Sequence, residues 1–205
     1  MAIDAVLFDF GGVLSTSPFD AFARYERERG LPHGFLRRVN ATDPDANAWA
    51  RLERAELALD AFDEAFATES AALGHRVPGA DVLGLLAGDI RPEMIEAVRR
   101  CGEHLKTGLL TNNVLGTMAD PRVAELLALF DAVVESSVVG VRKPEPAFYE
   151  LACDLLGIEP AAAVFLDDLG INLKPARQLG MTTIKVVDPA AALDELEAVV
   201  GFPLR

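Results

Sequence analysis

Five short apolar runs, most of them ending in polar residues, alternate with longer segments along this chain. They occupy residues 5–9 (AVLFD), 107–113 (TGLLTNN), 132–136 (AVVES), 163–168 (AVFLDD) and 182–188 (TTIKVVD). Continuous apolar runs of this length, separated by helix-length segments, are typical of parallel strands that are covered on both faces. We therefore predict an α/β fold built on a doubly wound parallel sheet, which is a Rossmann-like architecture.

The segments between the later runs have the spacing of crossover helices. Residues 91–104, 146–157 and 172–180 carry apolar side chains at steps of three and four. Gly157 and Gly180 each follow the last apolar turn of such a segment, where a residue in the left-handed conformation commonly ends a helix. We predict that both glycines are helix caps.

Between the first and second runs lie roughly 90 residues, far more than the dozen or so that a simple crossover needs. Residues 16–88 are rich in Ala, Leu, Glu and Arg at helical spacing, so we predict an inserted helical cap domain there, hinged near residues 15–18 and 88–92. The core domain is then residues 1–15 and 89–205. Aromatic residues at helical steps are predicted to pack in the core or the cap rather than to bind a cofactor: Phe19, Phe22, Tyr25, Trp49, Phe62 and Phe66.

The composition excludes several classes of protein. A formal charge of −13 and a pI near 4.6 provide no basic surface for nucleic-acid phosphates. Two cysteines, Cys101 and Cys153, are too few for a disulfide framework, so we expect reduced thiols and a cytoplasmic protein. The first ten residues carry two aspartates and no basic flank, which argues against a signal peptide or a membrane span. The sequence leaves the oligomeric state open.

Polar side chains gather at the predicted strand ends. In a doubly wound sheet the carboxyl ends of neighbouring strands meet in one crevice, where ligands bind. The residues expected at that crevice are Asp9, Thr111, Asn112, Asp167 and Asp168, with Lys143 reaching it from the start of a helix. Three carboxylates in close proximity repel one another unless a cation neutralises them. Hard oxygen ligands of this kind predict a bound Mg²⁺.

Two glycines follow the first of these aspartates. Gly11 has no side chain to offer, but its backbone carbonyl can bind a metal ion. The Gly11-Gly12 pair also permits a sharp turn after the strand and leaves N–H groups that can face an anion. We therefore predict Gly11 and Gly12 as part of a phosphate-binding turn.

Four motifs in this order resemble those of the haloacid dehalogenase (HAD) superfamily: FDFGGVL, LLTNN, VRKPEPAFY and FLDDLGINLKPARQLG. The likeness is strongest to the N-terminal phosphatase domain of soluble epoxide hydrolases and continues to the ALDELEAVVGFPLR ending. It covers nearly the whole core, whereas the cap is similar in position and helical character only. The resemblance implies a magnesium-dependent phosphatase that acts on small phosphorylated metabolites through an aspartyl-phosphate.

The resemblance also implies a role for each residue. Asp9 is expected to be the nucleophile, and Lys143 is expected to balance negative charge on the nucleophile and the phosphoryl group. Thr111 and Asn112 are expected to hold phosphate oxygens. The expected metal ligands are Asp9, the carbonyl of Gly11 and Asp168, supported by Asp167 and Asn172. These roles agree with the chemistry of covalent nucleophiles and of phosphoryl transfer.

The chain departs from the family pattern at Gly11, where most phosphatases of the superfamily carry a second aspartate as general acid and base. General acid-base catalysis contributes about 10²- to 10⁴-fold, so its loss slows a phosphatase without abolishing it. One possibility is a preference for good leaving groups. Another is a proton supplied by the cap or by the substrate, and a third is a catalytically weak phosphate-binding or interaction protein. A 2-haloacid dehalogenase is the main alternative enzyme.

Several other polar residues have simpler interpretations. His33, His75 and His104 show no metal-binding spacing and are predicted to be surface or cap residues. Arg142, which precedes Lys143, could be a second phosphate contact or a solvated charge. We favour the solvated charge.

Overall fold

A computed structural model describes residues 2–119 and 121–205 of the chain. Five parallel strands form one sheet in the order β3-β2-β1-β4-β5. The strands are β1 Ala5–Phe8, β2 Lys106–Thr111, β3 Ala132–Glu135, β4 Ala163–Asp167 and β5 Thr182–Lys185. Because β1 lies between β2 and β4, the strand order reverses direction at β1, and the carboxyl ends of these three strands border one crevice.

Helices connect the strands and cover both faces of the sheet. The helices after β1 are α1 Pro18–Arg29, α2 Phe35–Ala41, α3 Ala48–Glu53, α4 Leu59–Ala72, α5 Gly79–Leu83 and α6 Pro92–Gly102. Those after β2 are α7 Pro121–Leu127, α8 Ser136–Val139, α9 Pro146–Leu156, α10 Gly170–Gln178 and α11 Pro189–Val200. Two short 3₁₀ turns cover Thr117–Ala119 and Pro160–Ala162, and a wide turn covers Phe10–Leu14.

Each strand of the sheet interior contributes side chains to both faces, as a period of two requires. In β1, Val6 and Phe8 pack in a cluster with α6 and α11, whereas Ala5 and Leu7 pack in a second cluster with α9 and α10. All four residues are fully buried. This explains why the sequence shows continuous apolar runs rather than alternation, and it confirms the predicted doubly wound α/β class.

Residues 16–88, called the insert below, hold helices α1 to α5. These helices pack around a third hydrophobic cluster, which includes the buried Phe22, Phe62 and Phe66 and is joined by Val114 from the segment after β2. Tyr25 and Trp49 pack against the same cluster, as does Phe19, so the predicted packing role of the aromatic residues is confirmed. The boundaries of the predicted cap domain, and its action as a cap, stay predictions.

The two segments that connect the insert to the sheet run side by side. Ser15 and Ile90 form an antiparallel bridge, and the N–H of Thr16 donates to the carbonyl of Asp89 at 2.9 Å. The N–H of Arg91 donates to the carbonyl of Leu14 at 2.9 Å. The chain therefore leaves the sheet region and returns to it at adjacent points.

Some sequence predictions of local structure were wrong. Helical spacing continues without a break over residues 49–74 of the predicted helical insert, but α3 ends at Glu53 and α4 begins at Leu59, with Ala55 at a φ of 55° between them. The helix α2 was not predicted; its first turn is held by Glu26, whose carboxylate accepts from the N–H groups of Gly34 and Leu36. Strand β2 ends at Thr111, so Asn112 lies just beyond it.

Other local predictions hold. Gly157 caps α9 in the left-handed conformation at a φ of 62°, and Gly180 has a φ of 102° just after the C-cap Leu179 of α10. Cys101 and Cys153 are free and buried. Within residues 2–119 and 121–205, no helix has both the length and the apolar character that a membrane crossing requires.

Candidate active site

Three carboxylates meet at the carboxyl ends of β1 and β4. Asp9 follows the last residue of β1, Asp167 is the last residue of β4, and Asp168 comes next. Oxygen atoms of the three side chains all lie within 4.8 Å of one another, and Asp9 and Asp167 are buried. The parallel pairing of β1 with β4 produces this meeting, because it aligns the ends of the two strands. The predicted convergence of these three residues is thus observed.

Lys143 supplies a positive charge to this cluster. Its side chain is 1% exposed, and its Nζ atom lies 2.7 Å from Oδ1 of Asp9 and 2.9 Å from Oδ2 of Asp167. Burial lowers the pKa of Lys143, but the charges of Asp167 and Asp9 more than offset this, so the pKa lies above its usual value. The ammonium therefore stays charged at neutral pH, as a buried cation between two carboxylates must.

Two of the carboxyl groups in the cluster have pKa values above their usual range. Burial raises the pKa of Asp9 well above its usual value, Lys143 opposes the shift, and the charge of Asp167 adds to it. Burial and the charge of Asp167 raise the pKa of Asp168 to about 6. With one ammonium against three carboxylates, the ionised cluster has two unbalanced negative charges. An additional cation is what this arrangement of hard oxygen donors fits, and Mg²⁺ has that preference.

Asp167 is fixed by several donors. The side-chain amide of Asn172 donates to both of its oxygens, at 3.1 and 3.0 Å, and the N–H of Leu169 donates to Oδ1 at 2.8 Å. Tyr149, fully buried beneath them, donates its hydroxyl to the carbonyl of Asn172 at 2.7 Å. The carboxylate of Asp167 is thus held in one orientation, and the support of a metal site by Asp167 and Asn172 stays a prediction.

The two glycines after Asp9 differ in what they require. Gly12 has a φ of +78°, and a β-carbon there would overlap the carboxylate of Asp168. A glycine is therefore needed at position 12 on two counts, backbone conformation and space. Gly11 has a φ of −69°, and a β-carbon there would meet no atom within 4 Å. Open space thus lies beside the main chain at the position where most of the phosphatases that the motifs resemble carry an acid.

Thr111 and Asn112 lie where predicted, at and just after the end of β2, but the side chain of Asn112 is already engaged. Its Nδ2 donates to the carbonyl of Lys143 at 2.9 Å and to Oε2 of Glu53 at 3.2 Å. Its Oδ1 accepts from the N–H of Lys143 at 2.8 Å. Both N–H groups of the side-chain amide therefore have partners, and the predicted phosphate contact of Asn112 stays a prediction.

Glu53 is a residue that the sequence analysis did not identify. It ends α3 in the insert, is 7% exposed, and accepts at Oε1 from the indole N–H of Trp49 at 2.8 Å. Its Oε2 lies 2.6 Å from Nε of Arg142, so the prediction of a solvated Arg142 was wrong. Trp49 and Glu53 are four residues apart on one helix, and that spacing from a large aromatic residue is the signal that could have placed Glu53 on a buried face.

The histidines take no part in the site. His33 and His104 are exposed, and His104 lies against the ring of Phe202 at 4.6 Å. His75 is half-buried and packs edge-on against Phe35 at 5.2 Å. Their predicted surface placement is confirmed for the first two, and the partial burial of His75 follows from its aromatic contact.

With the fold and the cluster in view, comparison with known proteins shows the family. Residues 3–180 match the haloacid dehalogenase-like hydrolases, and the chain belongs to that family. It is 35% identical over 209 residues to mouse acyl-CoA dehydrogenase family member 10, covering 98% of this chain and 19% of the relative. It is 35% identical over 222 residues to mouse bifunctional epoxide hydrolase 2, covering 99% and 40%. The chain thus spans less than half the length of both relatives.

A relative of similar length and a solved structure complete the comparison. Phosphatase MT3486 of Mycobacterium tuberculosis is 32% identical over 199 residues, which is 88% of this chain and 86% of the relative. The HAD family enzyme bt-2542 of Bacteroides thetaiotaomicron, solved in complex with magnesium and inorganic phosphate, superposes with a TM-score of 0.61. That match covers 90% of this chain and 94% of the other at 20% identity, which shows a shared fold.

Proposed function

We propose that the protein is a magnesium-dependent phosphatase of small phosphorylated metabolites, with Asp9 as the nucleophile. The observation that carries the proposal is the buried cluster of Asp9, Asp167 and Asp168 around the ammonium of Lys143. A buried site with excess negative charge, one fixed ammonium and oxygen donors suits an anionic substrate only together with a divalent cation. The relation to a mycobacterial phosphatase supports the same reaction class.

Asp9 is arranged so that one of its oxygens is held. Oδ1 accepts from the N–H of Phe10 at 2.6 Å and lies 2.7 Å from Nζ of Lys143. We assign Oδ2 as the oxygen that attacks phosphorus. A bond forms between Oδ2 and phosphorus while the bond from phosphorus to the leaving oxygen breaks, which gives an aspartyl-phosphate and a leaving group with a negative charge. Water then attacks phosphorus and releases phosphate, so Asp9 is regenerated.

Lys143 and a bound Mg²⁺ would stabilise the negative charge that develops during phosphoryl transfer. The ammonium of Lys143, in contact with Asp9, offsets negative charge on the nucleophile and the phosphoryl oxygens. Asp9, the carbonyl of Gly11 and Asp168 would hold Mg²⁺, with Asp167 and Asn172 supporting them. Bound there, the ion would neutralise the cluster and the phosphate oxygens. Thr111 and the Gly11-Gly12 turn are assigned to the phosphate.

The open space at Gly11 limits which leaving groups depart easily. Because no carboxyl group occupies that position, the leaving oxygen departs unprotonated or takes a proton from water in the space. Substrates with good leaving groups, such as aryl phosphates, acyl phosphates or sugar 1-phosphates, need little protonation. We therefore propose that these classes are hydrolysed faster than simple alkyl phosphates.

The test is phosphate release from a panel of phosphorylated metabolites and p-nitrophenyl phosphate, with Mg²⁺ and with a chelator. Wild type and Asp9→Asn are compared with Asp4→Asn, which alters an exposed aspartate at the opposite end of β1. Release that needs Mg²⁺, is lost in Asp9→Asn and is kept in Asp4→Asn supports the proposal. Chelator-resistant halide release from a 2-haloacid would indicate a dehalogenase, and phosphate binding without turnover would indicate a binding protein. Either result would contradict the proposal that the protein is a phosphatase.

A further inference from the structure

Helix α3 of the insert contacts the loop that carries Lys143. Glu53, its last residue, lies 2.6 Å from Nε of Arg142, and the two side chains are only 9% and 14% exposed. Arg142 also donates from NH1 to the carbonyl of Pro44, another residue of the insert, at 2.9 Å. Arg54 adds a looser contact, with NH1 lying 3.7 Å from Oε1 of Glu145. The insert is therefore tied to this loop by a largely buried ion pair and by a hydrogen bond.

A second path runs from Glu53 to the backbone of Lys143. Oε2 of Glu53 accepts from Nδ2 of Asn112 at 3.2 Å. The amide of Asn112 then binds both polar groups of the Lys143 main chain, its Nδ2 at 2.9 Å from the carbonyl and its Oδ1 at 2.8 Å from the nitrogen. The Asn112 amide thus holds the main chain of Lys143 in place. The ammonium at the end of the Lys143 side chain contacts Asp9.

The partners of Glu53 show which chemistry it is suited for. Its two oxygens accept from the indole N–H of Trp49 and the amide of Asn112, and the guanidinium of Arg142 forms an ion pair with it. Burial raises the pKa of Glu53, and the charge of Arg142 opposes that shift. A carboxylate surrounded by donors has no proton to give to a leaving group. Glu53 is therefore poorly suited to replace the missing acid and well suited to hold its neighbours in place.

We propose that Glu53 is a positioning residue, through which the insert orients Asn112 and the main chain of Lys143 and so sets the ammonium beside Asp9. The kinetic arm of its test rests on the proposed phosphatase function, whereas a second arm does not. A misplacement of about 1 Å in a reacting group can cost about 10²-fold in rate, so a contact of this kind can control activity without touching substrate.

The kinetic arm uses Glu53→Ala and Glu53→Gln with p-nitrophenyl phosphate and Mg²⁺. Glu53→Ala removes the acceptor for Asn112, and we expect kcat to fall about 10- to 100-fold with a smaller change in KM. Glu53→Gln keeps an oxygen that can accept from Asn112, so it should recover most of that loss. The matched control is Glu64→Gln, which breaks the exposed ion pair between Glu64 and Arg76 in the same insert, 2.7 Å long, and should leave kcat unchanged.

The second arm is hydrogen–deuterium exchange of the Lys143 amide, whose N–H donates to Oδ1 of Asn112. We expect exchange about tenfold faster in Glu53→Ala, the size of effect that loss of one ordinary hydrogen bond produces, and unchanged exchange in Glu64→Gln. This arm decides the proposal even if the wild type releases no phosphate. Lys143 exchange as slow in Glu53→Ala as in wild type would overturn it. If the alanine variant does not fold, Glu53→Asp replaces it, because the shorter side chain withdraws its oxygens from Asn112, and Lys143 exchange as slow as in wild type would again overturn the proposal.

Discussion

The α-carbon of Gly12 faces the carboxylate of Asp168 so closely that no β-carbon fits between them. One residue earlier the main chain has free space beside it, although both glycines belong to the same turn. A larger residue therefore cannot replace Gly12 without displacing its surroundings, whereas Gly11 has room for a side chain. This contrast provides a direct test of the missing acid.

Gly11→Asp should fold normally, because the backbone at a φ of −69° suits any residue and a β-carbon there meets no atom within 4 Å. We expect hydrolysis of simple alkyl phosphates to rise about 100-fold, at the lower end of the contribution of general acid-base catalysis. Activity toward p-nitrophenyl phosphate should change far less, because that leaving group needs little protonation. Steady-state rates on both substrates check this, and an unchanged or lower alkyl rate in a folded variant would count against a missing acid.

Gly12→Ala is the counterpart of that variant. A β-carbon at a φ of +78°, pressed against Asp168, must displace either the turn or the carboxylate. We expect loss of most activity and a lower melting temperature, measured by phosphate release and by thermal unfolding. A fully active Gly12→Ala would show that Asp168 can move away without cost to the reaction.

Lys143→Met should be destabilising as well as inactivating. The side chain is 1% exposed and contacts both Asp9 and Asp167, so its removal leaves buried carboxylates without their partner. Breaking a buried pair in this way costs about 3–5 kcal/mol. Thermal unfolding without Mg²⁺ should reveal the loss, and added Mg²⁺ should restore part of it. Lys174→Met, which alters an exposed lysine of α10, is the control and should match wild type.

Binding of Mg²⁺ should raise the melting temperature of the wild type. Full ionisation of the cluster leaves two unbalanced negative charges, and a cation bound to the folded state stabilises it by about 2.7 kcal/mol at 100 times its Kd. Thermal unfolding across a Mg²⁺ titration measures this shift. We expect Asp168→Asn to lose most of it and Asp194→Asn, on an exposed face of α11, to keep it. A shift of equal size in both variants would show that Mg²⁺ does not bind at the carboxylate cluster.

The two tyrosines of the chain should ionise unusually late. Burial and the hydrogen bond to Asp81 raise the pKa of Tyr25 to about 12, and burial raises that of Tyr149 further. A phenol with a raised pKa binds its proton more tightly when folded, so stability is lost as pH rises from about 10. Absorbance of tyrosinate should stay low at pH 10 in native protein and appear together with unfolding. Full ionisation at pH 10 in folded protein would contradict this.

The sheet and the position of the site could be predicted because both depend on local pattern. Runs buried on two faces, such as the one ending at Asp9, are apolar without alternation, and polar residues at their ends must meet if the strands are parallel. The break after Glu53 could not be predicted from periodicity. It depends on Ala55 in a left-handed conformation, which an alanine seldom adopts and which no sequence motif indicates.

The partner of Arg142 was unpredictable for a different reason. A cation next to Lys143 on the chain has no local signal that separates a solvated side chain from a buried ion pair. Its carboxylate partner, Glu53, comes from the insert, and only the packing of α3 against the core brings the two together. Contacts between distant segments of this kind are set by tertiary structure, and they are where the sequence analysis failed.

The bridge between Ser15 and Ile90 closes the neck of the insert. The two connections leave and enter the sheet region as neighbours. An insert of another size could therefore replace this one without changing the strand order or the positions of the three carboxylates. We therefore expect substrate preference, if the insert acts as the predicted cap, to change separately from reaction chemistry in proteins built this way, with the contact between Glu53 and Arg142 as one that a replacement insert must reproduce.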